Sequence, residues 1–191
     1  MSFILGNFFS LINIIFLNIL ILIQKNYFKK KIVLFYYPKK KLVKNNISFI
    51  YDFFSREKNY YVFYGVTINI KKKNFYLIKQ FYLKFLFNVD LFLSNNICDE
   101  FTSKSKKIYI HHDIYDTPLV EKKKEKNLRN SLLKYDCIVV ASKKSANVFK
   151  NLFVGIKKTP KIVTFKYLKI DFVKKELKNK NKDSILIAPT N

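Results

Sequence analysis

The residues best suited to chemistry in this chain lie together. His111, His112 and Asp113 are consecutive, Asp116 and Thr117 come shortly after, and the chain has no other histidine. An imidazole that titrates near neutral pH takes a proton from a hydroxyl nucleophile, and a carboxylate beside it orients the ring or shares the proton. On that chemistry His111 or His112 is a candidate general base, with Asp113 or Asp116 to orient it or share its proton. Thr117 precedes Pro118, which places a capping oxygen before a proline suited to the first helical position. The amide groups at such a helix start hold phosphate, so His111 and Thr117 are candidates for phosphate or acceptor binding. The competing reading is a loop that caps a helix and does no chemistry. No third ligand stands at a recognisable spacing from the histidines, so no metal is expected. Cys98 and Cys137 are far apart and form no CxxC. They make neither a zinc site nor a disulfide framework, and suggest a reducing compartment. Only Gly6, Gly65 and Gly155 are glycine. That excludes a P-loop, a GxGxxG turn and a GxSxG elbow.

These residues need a frame. Short, continuous apolar runs recur after residue 31: 32–37, 60–64, 89–93, 107–110, 137–141 and 162–165. Runs that do not alternate with polar residues indicate strands buried on both faces of a parallel sheet. Helical stretches fall between them. Leu128, Leu132 and Leu133 give the segment after Thr117 one apolar stripe. Ser142 caps a second helix with Phe149, Leu152 and Phe153 on one face, and Gly155 stands where helices stop. Alternating strands and helices predict an α/β fold: a Rossmann-like, mostly parallel sheet flanked by helices. The His-His-Asp cluster then comes after the fourth predicted strand, at its carboxyl end, where ligands of open α/β sheets bind.

The chain has 191 residues, 37 Lys+Arg against 13 Asp+Glu, and 49% hydrophobic residues. So apolar a chain is not disordered, and the length suits one domain. The net charge of +24 points to anionic partners. Apart from Arg56 and Arg129 every cation is lysine, spread in short runs, whereas base reading favours the arginine fork. Lys, Asn, Ile, Phe and Tyr are all amino acids of A/T-rich codons, so much of the charge is compositional. Attraction to an anionic membrane surface fits it better than a nucleic-acid site. Residues 2–24 carry no charge and are dominated by Phe, Ile and Leu, interrupted by Asn7, Ser10, Asn13 and Asn18. Residues 1–25 therefore form an apolar helix, either a membrane anchor or a buried first helix. No cation precedes the run and no small-residue cleavage site comes after it, which disfavours a signal peptide. Lys25 and Lys29–Lys31 stand directly beyond it, which predicts that the rest of the chain lies at the cytoplasmic face.

Three segments, in order, resemble the CDP-glycerol glycerophosphotransferase family, which builds teichoic-acid-like polymers. Residues 107–118 resemble that family's strand ending in His, with a turn and Thr-Pro after it. Residues 165–171 resemble its Gly-Tyr-Pro-Arg/Lys-x-Asp segment, with Tyr167, Lys169 and Asp171 matching. Residues 185–190 resemble the Tyr-Ala-Pro-Thr that opens its second domain. The resemblance implies the N-terminal, acceptor-side half of a glycosyltransferase-B fold over 31–178, with 183–191 as the first strand of a second domain absent from the chain. It implies His112 as general base, and Tyr167, Lys169 and Asp171 in acceptor or phosphate binding. It implies no resident cofactor. A nucleotide-activated donor such as CDP-glycerol would be substrate, held by a separate C-terminal nucleotide-binding domain. The implied acceptor is lipid-linked or polymeric and anionic. The alternative is a non-enzymatic, membrane-anchored basic α/β protein that binds anionic polymer or nucleic acid.

Overall fold

The computed structural model describes residues 2–37, 46–67, 74–102, 104–111 and 122–165. In chain order these form α1 (Ser2–Asn26), β1 (Lys31–Tyr37), α2 (Asn46–Arg56), β2 (Tyr60–Val66) and β3 (Phe75–Leu77). A 3-10 helix (Gln80–Phe85) comes next, then β4 (Leu91–Ser94), β5 (Lys106–Ile110), α3 (Lys122–Leu132), β6 (Cys137–Val140), α4 (Lys143–Leu152) and β7 (Lys161–Thr164). The strands make one sheet of order β3-β2-β1-β4-β5-β6-β7, and every pairing is parallel. This is the Rossmann-like α/β architecture with an apolar N-terminal helix that the sequence pattern predicts.

The apolar runs are continuous because the central strands are covered on both sides. In β1, Ile32, Leu34 and Tyr36 enter one core cluster, and Val33, Phe35 and Tyr37 enter the other. The first cluster takes in buried residues of α1, α3 and α4, including Leu17, Leu132 and Phe149. On the second face Ile50, Tyr51 and Phe54 of α2 pack against the cluster. Gly65 marks a close approach within β2. A Cβ there would sit 2.9 Å from the Tyr36 ring, so the tyrosine fills the space a side chain would need.

All six predicted strands form, with ends shifted by a residue or two. β3 and the 3-10 helix are additions. Helix α4 starts as expected: the Ser142 hydroxyl accepts the Ser145 N–H at 3.0 Å, and Gly155 has φ of 81° just after it. In α3, Leu132 is buried and Leu128 packs against the core, as does Leu133 just past the helix. The helix start expected at Thr117 and the strand expected over 183–191 lie outside the described residues.

Helix α1 is docked on the sheet. Ser10, Ile14, Leu17 and Ile21, at helical spacing, are all buried. The polar residues that interrupt the apolar run make the joint. Asn13 Nδ2 donates to the Leu77 carbonyl at 2.9 Å. Asn18 donates to the Phe85 carbonyl at 2.8 Å and accepts the Phe87 N–H at 2.9 Å. Ser10 Oγ accepts the Lys79 N–H at 3.3 Å, and Asn7 Oδ1 accepts from Lys79 Nζ at 2.7 Å. The far end is fixed at Asp90, which pairs with Lys25 Nζ at 2.7 Å and accepts the Ile32 N–H at 2.7 Å. So α1 runs from the carboxyl end of β3 to the amino end of β4.

Candidate active-site rim

Strand order decides where a ligand fits. From β1 the chain steps outward to β2 and β3, then crosses back to β4 on the other side of β1. In such sheets the crossover point leaves a crevice beyond the carboxyl ends of the two central strands, and ligands bind there. Here that crevice lies beyond Tyr37 of β1 and Ser94 of β4. His111 stands one strand away, since Ser94 of β4 pairs in register with Tyr109 of β5.

The loop after β4 is a tight polar turn. The Ser94 hydroxyl donates to the Asn96 carbonyl at 2.6 Å and accepts the Asn96 N–H at 3.1 Å. Asn96 Nδ2 donates to Asn95 Oδ1 at 2.9 Å. Behind this turn the Tyr135 hydroxyl accepts the Cys98 N–H at 2.9 Å and donates to the Asn96 carbonyl at 3.3 Å. These bonds fix the turn against the core. Burial pushes the Cys98 thiol up to about 11, so it stays neutral and is a packing residue rather than a nucleophile.

His111 extends β5 by one residue, donating its N–H to the Val139 carbonyl at 2.8 Å. Its ring is 3% exposed. Nδ1 lies 3.4 Å from the Tyr109 hydroxyl, and the ring meets Phe149 of α4 edge-on, with centroids 5.2 Å apart. The imidazole is thus held between strand and helix at the rim. Of the candidate residues, His111 alone is described. His112, Asp113, Asp116, Thr117, Tyr167, Lys169 and Asp171 lie outside the described residues.

The opposite, amino ends of the strands are built for structure. Asp90 joins α1 to β1, and Asp136 accepts the Lys107 N–H at 2.7 Å. Asp99 binds Ser131 and Lys134 of the α3 region, and the Ser131 hydrogen bond with the nearby Lys134 holds its carboxyl below its usual range. These acids act as backbone and helix ties. Among the described residues no group of His, Cys, Asp and Glu converges to hold a metal. An apolar groove of about 420 Å³ crosses the second sheet face, lined by Leu93, Ile110, Val139, Val163 and Phe165 among others.

The turn Ser94-Asn95-Asn96 was not legible as a site in the sequence. It carries no motif. The signal available was positional: three polar residues at the end of an apolar strand, at the crossover. Compared with protein-family models, with curated proteins and with solved structures, the chain matches none.

Proposed function

We propose that this chain is the acceptor-side half of a glycerophosphotransferase of glycosyltransferase-B type, working at the cytoplasmic face of an anionic membrane. The observation that carries the reading is the position of His111 at the carboxyl end of β5, next to β4 and the crossover crevice; His112 and Asp113 come directly after it in the sequence. His112 removes the proton from an acceptor hydroxyl. The oxygen attacks the glycerol-side phosphorus of CDP-glycerol, the new P–O bond forms as the bond to CMP breaks, and CMP leaves with the electron pair. Asp113 and Asp116 orient the base. His111, Thr117, Tyr167, Lys169 and Asp171 hold acceptor phosphate. The donor is held by a separate C-terminal nucleotide-binding domain. The apolar helix α1 and the net charge of +24 support a phosphate-rich acceptor presented by a membrane.

A titration tests this. A short poly(glycerol phosphate) oligomer and a single-stranded RNA of equal charge are added to the full chain. The expected result is tighter binding of the oligomer, weakened about 10-fold by either Thr117→Ala or Lys169→Ala, as for loss of a hydrogen bond to a charged group. Tighter binding of RNA, or affinity indifferent to both changes, would assign the chain to diffuse lysine attraction and overturn the reading.

A further inference from the structure

Among the described residues, the outer face of α1 over 8–23 is apolar and has no cover. Phe8, Ile12, Ile15, Phe16, Ile19 and Leu22 are each 44–60% exposed. Beside it the 3-10 helix presents Phe81 and Phe85, with Phe87 just past it, all likewise exposed. The two surfaces are one, because Asn18 of α1 bonds the backbone at Phe85 and Phe87. A patch of this kind on a folded domain marks an interaction surface.

We infer that this joint face binds an anionic bilayer in its plane, so that α1 lies along the membrane and does not cross it. The inference rests on the membrane part of the proposed function and is independent of its chemistry.

Two observations choose the in-plane mode. A crossing helix must put its whole circumference in lipid. Here the inward stripe Ile14, Leu17 and Ile21 is buried in the protein core. The Asn13 and Asn18 amides also find their partners on the 77–87 segment, and a polar group stripped of partners in hydrocarbon costs several kcal/mol. Length and composition alone would let residues 7–26 span, but the docked joint holds them on the fold.

Charge chooses the occupant. Exposed Lys29 and Lys31 lie past the end of α1, and Lys84 stands beside the exposed rings with Nζ 3.8 Å over Phe81. Lysines bordering an apolar face suit anionic headgroups. A second copy of the chain would bring two bodies of charge +24 together, which is unfavourable. The Tyr27–Phe28 pair at the end of α1, with ring centroids 5.0 Å apart, suits the headgroup boundary.

The chain has no tryptophan, so single replacements report depth cleanly. Phe8→Trp, Ile15→Trp and Leu22→Trp lie along one line of the exposed face. Successive positions are about 10 Å apart along the axis. Each full-length variant is bound to vesicles of phosphatidylglycerol and phosphatidylcholine carrying bromine at defined depths. In-plane binding predicts equal, shallow depths for all three, about 5–10 Å below the headgroups. It also predicts at least 10-fold weaker vesicle binding for Phe16→Glu with Ile19→Glu, both exposed in the fold. Depths graded along the helix, with Ile15→Trp deepest, would mean a crossing helix and overturn the inference. So would absence of vesicle binding, or self-association that vesicles do not displace. Failure of the transferase reading would appear in the oligomer titration and leave these depths unchanged.

Discussion

The cysteine at the back of the rim shows how environment decides a residue's role. Cys98 is fully buried, with its amide bonded to Tyr135 and its thiol 3.5 Å from the Ser94 hydroxyl. Burial raises its folded pKa to about 11 from an ordinary 9.0. Burial also raises those of Tyr36, Tyr64 and Tyr135. An acid whose folded pKa is raised favours its neutral form in the fold. The stability it contributes is complete below the unfolded pKa and is lost as pH rises toward the folded one, between about pH 9 and pH 11 for Cys98. Urea midpoints are therefore expected to fall between pH 8.5 and about pH 10.5, and to fall less in Cys98→Ala. An equal fall in both proteins would mean that the thiol plays no part. At this scale the sequence was informative about residue types and silent about contacts. His111 stands beside His112 in the chain, yet its burial against Phe149 depends on where α4 packs, and no local pattern around residue 111 encodes that.

Among the elements, the strands were the most legible and α1 was the least. A strand buried on both faces writes a continuous apolar run, and β1 does so because successive side chains enter two different cores. β3 has three residues, all partly exposed, and so leaves too short a run to read. The 3-10 helix has the composition of either a strand or a helix. In α1 the polar interruptions look like defects in a membrane span. They are the contacts that bind it to the 77–87 segment, and only the tertiary structure supplies their partners. Asn18→Leu removes both bonds to Phe85 and Phe87 while keeping the helix apolar. It is expected to destabilise the docked helix by about 1–2 kcal/mol, because each bond contributes about 1 kcal/mol and the freed groups lie near solvent. Faster amide exchange at Phe87, with little change in the sheet strands, is the corresponding observation. Unchanged exchange at Phe87 would show that Asn18 does not hold the joint.

For the whole molecule, the parallel order β3-β2-β1-β4-β5-β6-β7 gives the fold two unlike ends. The amino ends of the strands carry acids committed to structural ties. The carboxyl ends carry the Ser94–Asn96 turn and His111. The N-terminal half of α1 reaches toward that same carboxyl end, at Leu77 and Lys79, so a lipid-linked acceptor held by the bilayer would meet the rim with little travel. The fold class was readable from strand–helix alternation, since that alternation requires parallel strands. The crossover beside His111 was not readable, because it arises from strand order and strand order is not written in any one segment. The central claim is that the carboxyl rim binds a phosphate-rich acceptor. Amide chemical-shift mapping of the full chain with a short poly(glycerol phosphate) oligomer tests it most directly. The account predicts saturable shifts at Ser94, Asn95, Asn96 and His111, with Asp90 and Asp136 unmoved. Shifts confined to the amino ends of the strands, or spread evenly over the exposed lysines, would contradict it.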